Sequence, residues 1–309
     1  MTTRGVTVQA LSEPPFHWYI IVRQFGIVII TKIDKMSESG YSSDEYENET
    51  FFKSEMKSFK SSYEVSSLVM MSANGKIYAG KDKETGNDVI IKILPRKSNL
   101  TWAGDRRIPR EIKYHCIAAA IDSNTVQVLD FFERKKDFIM ILEKPHNTID
   151  LLEFTNIYGP VNFSMAKAIC RQLAISSLAH QNAGICHRDL KDENVLFDPS
   201  TGNIKIIDFG CGTAHQEQYT TYAGTHAYSP PEFKDNGTMM ADKMTVYSIG
   251  CLLYTILTRS CPFSEDENFD FEKFVTLNSN LSSEERRLVS KMLHPKAESR
   301  ISLAELSKL

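Results

Sequence analysis

The sequence lacks a strong excess of charge of either sign. Its 309 residues carry a formal net charge of -3, from 36 lysines and arginines against 39 aspartates and glutamates. This balance argues against proteins that bind nucleic acid or a membrane surface through bulk positive charge. Selectivity for a partner must therefore come from local groups of charged side chains.

Paired cysteines and long apolar runs are also missing. The six cysteines are scattered without a C-x-x-C pair, which excludes a disulfide framework or zinc knuckle and predicts reduced thiols in the cytoplasm, with the nucleus also open. In WYIIVRQFGIVIIT, residues 18–31, Arg23 and Gln24 divide the longest apolar run into pieces too short to cross a bilayer. The start also lacks the basic region and cleavage site of a secretory signal. A strand pair or an amphipathic segment is favoured over a membrane contact.

The remaining composition predicts a globular chain with an extension at its N-terminus. An apolar content of 42% and an aromatic content of 10% support a core of one large or two modest domains. Residues 36–62 are rich in serine, glutamate and lysine without a sustained period, which predicts a flexible, partly acidic linker. We therefore expect a partly disordered extension over residues 1–62 and a folded domain over residues 63–309.

Within the folded part, a region rich in strands precedes a helical region. Short β-rich runs dominate residues 63–142, interrupted by one helix-like stretch, RIPREIKYHCIAAAI. After Pro145, apolar residues recur at helical spacing, as in SMAKAICRQLAISSLAHQ. The pattern predicts a small sheet-rich lobe over 63–142, a hinge at 143–146 and a larger helical lobe over 147–309. Ligands tend to bind in the cleft at such a junction.

Two motifs beyond that junction carry candidate catalytic groups. Residues 187–194 read HRDLKDEN, and residues 208–210 read DFG. Phosphoryl transfer needs a carboxylate to accept the proton of the attacking hydroxyl, which suits Asp189, and oxygen ligands for Mg²⁺, which suit Asn194 and Asp208. Taken singly, each residue reads more simply as a turn former or a helix cap. Their joint occurrence with a lysine on an upstream apolar strand argues against that interpretation.

In this order, VIIK, HRDLKDEN and DFG resemble the eukaryotic protein-kinase signature from about Tyr63 to the C-terminus. The resemblance implies an α+β, bilobal protein-kinase fold, with an antiparallel sheet and helix C in the N-lobe and a helical C-lobe. It also implies ATP and Mg²⁺ as cofactors and protein substrates. It places Lys92 on the ATP phosphates and Glu111 as the helix C partner of that lysine. Lys191 resembles the residue of Ser/Thr kinases that contacts the transferring phosphate, so Ser/Thr specificity is expected.

LEKP, HRDLKDENVLFD and AYSPPEF resemble the Pim family in particular. If Leu142 is the gatekeeper, Pro145 takes the hinge position whose N–H normally bonds adenine, and proline has no N–H. Adenine would then be held by the carbonyl of Glu143, with Ile77 above it and Leu196 below.

The segment GTHAYSPPE resembles one that docks the substrate peptide. Thr225 falls in this segment, and Glu232 is expected to pair with Arg300 as a structural support. The Pim resemblance implies basic substrate peptides, read by acids at or near the positions Asp150, Glu153, Glu193 and Asp266, although Ser260 stands where that family often has another acid. It also implies activity without activation-loop phosphorylation. The hydroxyl-bearing residues Thr220, Thr221 and Tyr222 leave such phosphorylation open.

The expected nucleotide roof departs from the family pattern. The G-x-G-x-x-G-x-V loop aligns with Met70, Ser72, Gly75 and Ile77, so two of its three glycines are replaced. Glycine lets backbone N–H groups approach phosphate closely. Ile90 also replaces a small alanine over the adenine site. The residues expected to bind nucleotide are Val69, Met70, Ser72, Gly75, Ile77, Ile90, Lys92, Glu111, Glu143 and Leu196.

Three functions remain open at this point. The first is an active, monomeric Ser/Thr kinase with weakened ATP binding, by ~1 to 2 kcal/mol if one or two phosphate hydrogen bonds are lost. The second is a pseudokinase that acts as a scaffold. The third, a small-molecule kinase on the same fold, is disfavoured by the peptide-docking segment GTHAYSPPE.

Overall fold

The computed structural model describes residues 20–23, 27–30, 45–72, 75–97, 99–103, 106–262, 271 and 281–309. Among these residues the longer strands are β1 (Ile20–Arg23), β2 (Ile27–Ile30), β3 (Tyr63–Ser72), β4 (Gly75–Asp82), β5 (Asp88–Pro95), β6 (Leu100–Ala103), β7 (Arg106–Pro109), β8 (Val128–Glu133) and β9 (Asp137–Glu143). Short strands follow: β10 (Ile149–Asp150), β11 (Ile185–Cys186), β12 (Val195–Phe197), β13 (Ile204–Ile206), β14 (Thr213–Ala214), β15 (Gln218–Tyr219) and β16 (Met239–Met240).

The helices lie mainly in the second half of the chain. They are α1 (Glu45–Ser62), α2 (Arg110–Ile121), α3 (Leu151–Tyr158), α4 (Phe163–Asn182), α5 (Pro231–Asn236), α6 (Ala241–Thr258), α7 (Ser283–Met292) and α8 (Leu303–Leu306). Short 3₁₀ helices cover Asp192–Asn194, His226–Tyr228 and Ala297–Ser299. None of the helices in this described part of the chain is both long and apolar enough to span a membrane.

The smaller lobe is a five-stranded antiparallel sheet in the order β3-β4-β5-β9-β8, with α2 packed against it. The larger lobe encloses a core to which α6 and α4 contribute more buried apolar side chains than the other helices do. A three-stranded sheet has the order β10-β12-β13, and β13 ends two residues before Asp208. The predicted α+β, bilobal architecture is confirmed.

Local sequence explains where several helices begin. Asn162 caps α4 by accepting a hydrogen bond from the Met165 N–H at 2.9 Å. Ser282 begins α7 with a capping box, in which Glu285 returns a bond to the Ser282 N–H at 2.7 Å. These caps satisfy amide groups that a helix terminus otherwise leaves unpaired.

The helix α1 corrects one expectation. Composition predicts a flexible linker over 36–62, but residues 45–62 form a helix that packs on the sheet. Phe52, Met56 and Phe59 recur at helical spacing, and Phe59 is buried against Phe132 with ring centroids 5.4 Å apart. Burial of this apolar stripe stabilises a helix whose composition is otherwise polar. The remaining residues of the linker, 36–44, lie outside the described residues.

The apolar run near the N-terminus contributes β1 and β2. These strands pair antiparallel, with Ile21 opposite Ile29. The structure therefore favours the strand pair among the alternatives that the sequence left open.

Candidate active site

The lysine of the apolar strand lies at the centre of the site. Lys92, on β5, is 4% exposed, and its Nζ lies 2.5 Å from Oε1 of Glu111 on α2 and 3.1 Å from Oδ1 of Asp208. Burial by itself would lower the pKa of Lys92, but the carboxylates of Glu111 and Asp208 outweigh it and hold this pKa above its usual value. The lysine is therefore a fixed positive charge that joins the two lobes.

The sheet places apolar side chains on the same face as this lysine. Ile77 lies opposite Lys92 in the pairing of β4 with β5, and Ile90 lies opposite Leu142 in the pairing of β5 with β9. Directly opposed residues of an antiparallel sheet share a face. Ile90 packs against the apolar cluster that contains Leu142, and so does Leu196, which belongs to the larger lobe. The structure thus brings Ile90 and Leu196 to one apolar cluster and places Ile77 beside Lys92 on the sheet.

The strand β3, which carries part of the loop expected to cover the nucleotide, has exposed side chains. Val69 and Met70 have 57% and 56% of their surfaces exposed, and Met70 lies opposite Ile77 in the β3–β4 pairing. Gly75 has a φ of +144°, and a Cβ added there would lie 2.1 Å from the carbonyl oxygen of Ile93. The remaining glycine is therefore required by the backbone. Ser72 is placed at the end of β3, opposite Gly75.

Asp189 lies in the catalytic loop, residues 187–194, and both of its carboxylate oxygens accept hydrogen bonds. Oδ1 of Asp189 accepts bonds from the N–H and the hydroxyl of Thr225, at 2.9 and 3.0 Å. Oδ2 accepts a bond from Nδ2 of Asn194 at 3.2 Å, and the same amide donates to the Asp189 carbonyl at 2.8 Å. Lys191, two residues further on, has its Nζ 3.4 Å from Oε1 of Glu193. These bonds fix the direction of the Asp189 carboxylate.

Two residues of the site adopt left-handed backbone conformations. Arg188 has a φ of 65° and Asp208 a φ of 63°. Such conformations are uncommon outside glycine and occur often at functional sites. The Asp208 carboxylate accepts the Gly210 N–H at 3.0 Å. Burial tends to raise the pKa of Asp208, but Lys92 and this amide together hold it below its usual value.

Histidine rings surround Phe209, the residue after Asp208. His187 accepts a bond from the Asp189 N–H at its Nδ1, so its Nε2 carries the proton that bonds the Ile207 carbonyl at 3.0 Å. The rings of His115, His180 and His187 lie 4.9, 5.5 and 4.6 Å from the Phe209 ring. Sequence reasoning missed His115 and His180. The position of His115, one helical turn after Glu111 on α2, is the signal that could have identified it.

Sequence reasoning also missed the partners of the Glu143 side chain. Its Oε1 accepts bonds from Nζ of Lys205 at 2.7 Å and from the N–H of Gln127 at 3.0 Å. Pro145 follows two residues later, and its carbonyl accepts a bond from the Thr148 hydroxyl at 3.1 Å. No local pattern near Lys205 signals this contact.

The candidate substrate acids occupy different environments. Asp150 caps α3 by accepting a bond from the Glu153 N–H at 2.8 Å, so part of its acceptor capacity is used within the protein. The side chains of Glu153 and Glu193 are exposed, and α3 packs against the 3₁₀ helix that contains Glu193. Asp266 lies outside the described residues.

The predicted pair at the end of the docking segment is present. Nη1 and Nη2 of Arg300 donate to the two carboxylate oxygens of Glu232, at 2.8 and 2.5 Å. Arg300 is 3% exposed and also donates to the His294 carbonyl at 2.8 Å. This bidentate pair ties α5 to the segment before α8.

Comparison with known proteins agrees with this geometry. Residues 63–309 match the protein kinase domain family. The serine/threonine-protein kinase pim-2 of Danio rerio is 31% identical over 260 residues, which cover 80% of this chain and 84% of that protein. The serine/threonine-protein kinase prk-2 of Caenorhabditis elegans is 29% identical over 215 residues, covering 68% of this chain but only 48% of that protein.

A solved structure gives the same fold. The crystal structure of Rad53 1-466 in complex with AMP-PNP superposes with a TM-score of 0.60 at 23% identity, over 80% of this chain and 64% of that one. At this identity the likeness shows the fold alone. The family match and the relatives above establish that the chain belongs to the protein kinase family, as a serine/threonine kinase that resembles the Pim kinases.

Proposed function

We propose that the chain transfers the γ-phosphate of ATP to Ser or Thr hydroxyls of protein substrates through the residues described above. The observation that carries the proposal is the contact of Lys92 with both Glu111 and Asp208. A buried lysine held by two carboxylates from different elements is positioned to neutralise phosphate charge without having to reorganise.

Asp189 is the proposed base. Its carboxylate, held by Thr225 and Asn194, would accept the proton of the substrate hydroxyl as that oxygen attacks phosphorus. Lys191 would contact the transferring phosphate, in exchange for its present contact with Glu193. Thr225 would place the substrate residue next to the base because it bonds that base directly.

Asn194 and Asp208 are the proposed Mg²⁺ ligands, and their chemistry fits the ion. Nδ2 of Asn194 donates to Asp189, which leaves Oδ1 as the atom for a cation, and the lowered pKa of Asp208 keeps its carboxylate ionised. In the part of the chain that the structure describes, no group of three or more His, Cys, Asp or Glu side chains gathers as a metal site. This suits Mg²⁺, which usually takes one or two protein oxygens together with water and phosphate. When bound, the ion neutralises charge on the phosphates.

Adenine would bind below the sheet, with the carbonyl of Glu143 as its main hydrogen-bond partner. The half-buried Ile77, Ile90 and Leu196 would enclose the base. Met70 and Ser72 stand where glycines would let amides approach phosphate, so ATP affinity is expected to be weak. The expected loss is ~1 to 2 kcal/mol.

Basic peptides are the proposed substrates. Glu153 and Glu193 present exposed carboxylates beside the catalytic loop, and arginine pairs with carboxylate in a bidentate manner. Asp150 would also bind a basic side chain of the peptide, through the carboxylate lone pairs that its capping bond to the Glu153 N–H leaves available. We propose a monomer in the cytoplasm or nucleus, binding neither nucleic acid nor membrane.

A pseudokinase scaffold is the second candidate function, and a specific observation favours it. Two of the three roof glycines are replaced, which weakens the binding of phosphate by backbone amides. The two functions differ in whether the site turns over ATP.

A phosphotransfer assay separates them. The wild-type chain is incubated with Mg-ATP and an arginine-rich peptide, beside Asp189→Asn and beside Asp235→Asn as a matched control on the exposed end of α5. We expect activity in the wild type and in Asp235→Asn, and none above background in Asp189→Asn. Equal phosphorylation of the peptide by the wild type and by Asp189→Asn would contradict the proposed enzyme activity.

A further inference from the structure

A lysine of the larger lobe reaches the hinge. Nζ of Lys205, on β13, lies 2.7 Å from Oε1 of Glu143, the last residue of β9. The side chains of Lys205 and Glu143 are only 25% and 28% exposed, so water screens this ion pair in part. The contact connects the larger lobe to the hinge through a lysine to which no role has been assigned.

The same glutamate is held by a second segment. Oε1 of Glu143 accepts the N–H of Gln127 at 3.0 Å, and the Glu143 N–H donates to the Gln127 carbonyl at 2.9 Å. The side-chain amide of Gln127 donates to the carbonyl of Ala119, in the last turn of α2, at 3.0 Å. Glu143 is therefore tied to the end of α2 as well as to Lys205.

The strand of Lys205 also leads to the proposed metal ligand. The Val126 N–H donates to the Ile206 carbonyl at 3.0 Å, so β13 is bonded to the segment that holds Gln127. Asp208 follows Lys205 by three residues. Asp208 is itself held by Lys92 and by the Gly210 N–H, so loss of the Lys205 ammonium is expected to act on the hinge rather than on the proposed magnesium ligand.

The hinge needs such a restraint because it offers few hydrogen bonds to a base. Pro145 has no N–H, which leaves the Glu143 carbonyl as the main partner for adenine. A small rotation of the Glu143 peptide would therefore misdirect the main polar contact to the base. The side chain of Glu143 is the natural point at which to prevent that rotation.

We propose that Lys205 is a positioning residue for the nucleotide, because its ion pair with Glu143 holds the hinge peptide in the orientation that receives adenine. This inference rests on the proposed role of the Glu143 carbonyl. It assigns to Lys205 no contact with ATP itself, so its removal should weaken recognition of the base rather than of the phosphates.

The first test compares Lys205→Met, which keeps the apolar stem and removes the ammonium, with Lys205→Arg, which keeps the charge. Calorimetry measures the Kd for adenosine, and steady-state kinetics measure KM for ATP, KM for peptide and kcat. For Lys205→Met we expect adenosine Kd and ATP KM to rise by about fivefold, with kcat and peptide KM changed by less than about twofold. Lys205→Arg should restore both affinities.

A second variant guards against misfolding of the first. Glu143→Gln keeps an acceptor for the Gln127 N–H but loses the charge, so it should weaken adenosine binding in the same direction. The double variant Lys205→Met with Glu143→Gln should be no weaker than the worse single variant, because both changes remove one interaction. Lys167→Met, which removes an exposed pair with Glu284 in the larger lobe, serves as the matched control and should bind adenosine like the wild type.

The outcomes separate this inference from the proposed reaction. Adenosine binding needs no phosphotransfer, so a chain that binds adenosine but fails the peptide assay still reports on Lys205. The proposal is overturned if Lys205→Met keeps wild-type adenosine affinity, if Lys205→Arg fails to rescue it, or if the wild type binds no adenosine. A loss of thermal stability without a change in adenosine Kd would assign Lys205 a structural role only, and would also overturn it.

Discussion

Thr225 donates two hydrogen bonds to a single oxygen of Asp189, one from its backbone N–H at 2.9 Å and one from its hydroxyl at 3.0 Å. The contact is close because Gly224 adopts a φ of +121°, where an added Cβ would lie 2.5 Å from the Arg188 carbonyl oxygen. The segment expected to dock the substrate and the proposed base are therefore one hydrogen-bonded unit. Changes in either should alter the other.

Removal of the Thr225 hydroxyl should reduce catalysis more than ATP binding. In Thr225→Val the backbone bond to Asp189 remains, but the carboxylate loses one of its fixed donors. A hydrogen bond to a charged group contributes about 1.5 kcal/mol, so we expect kcat to fall by about tenfold with little change in ATP KM. Steady-state kinetics on an arginine-rich peptide give both values. Thr225→Ser retains the hydroxyl and should keep most of the activity; a loss equal to that of Thr225→Val would contradict the prediction.

Restoration of the roof glycines should tighten ATP binding. The double substitution Met70→Gly with Ser72→Gly would let two more amides approach the phosphates, and we expect the Kd for ATP to fall by about tenfold. Ser66→Gly, on an exposed position of the same strand, controls for added flexibility. Unchanged ATP affinity in the double variant would mean that this strand does not cover the nucleotide.

Asp130 should make stability depend on pH. Burial raises its pKa to about 6, with the Phe131 N–H opposing the shift and the Glu55 carboxylate adding to it. Because the folded pKa lies above the unfolded one, the contribution of Asp130 to stability is fully present below about pH 4 and is lost as the pH rises through about 6. Asp130→Asn should therefore be more stable than the wild type by about 2 kcal/mol near neutral pH, and equal to it near pH 4.

Urea unfolding at the two pH values measures this difference. The exposed Asp235→Asn serves as a control and should follow the wild type at both. A difference between Asp130→Asn and the wild type that is the same at both pH values would exclude titration of this carboxyl as its cause.

The pair between Glu232 and Arg300 should be costly to break from one side. Arg300→Met leaves the Glu232 carboxylate, 12% exposed, without its bidentate partner and leaves the His294 carbonyl without a donor. We expect the free energy of unfolding to fall by about 3 kcal/mol. Urea titration measures it, with Lys296→Met on the adjacent exposed surface as a control. Recovery in the double variant Arg300→Met with Glu232→Gln is expected, and further loss there would contradict the assignment.

Sequence patterns predicted most of the elements that bear the site. The β-rich apolar runs NDVIIKIL and DFIMILE correspond to β5 and β9, and the apolar spacing of SMAKAICRQLAISSLAHQ corresponds to α4. These predictions succeed because the period of apolar residues is a local property of a chain that buries one face. The prediction of a flexible linker over residues 36–62 was wrong for residues 45–62, because the helix α1 depends on a sheet surface supplied by residues much later in the chain.

By itself the sequence determined the order of the motifs and their residue types, because VIIK, HRDLKDEN and DFG are each contiguous. Only the tertiary structure decided that Lys92 meets Glu111 and Asp208 together, and that Lys205 reaches Glu143. Such contacts join residues 19 to 116 positions apart, and no short-range pattern encodes the distance between their side chains. That distance is set by the packing of the two lobes. Burial of their apolar faces fixes the backbone positions, and charged groups buried at the junction are stable only when they are paired.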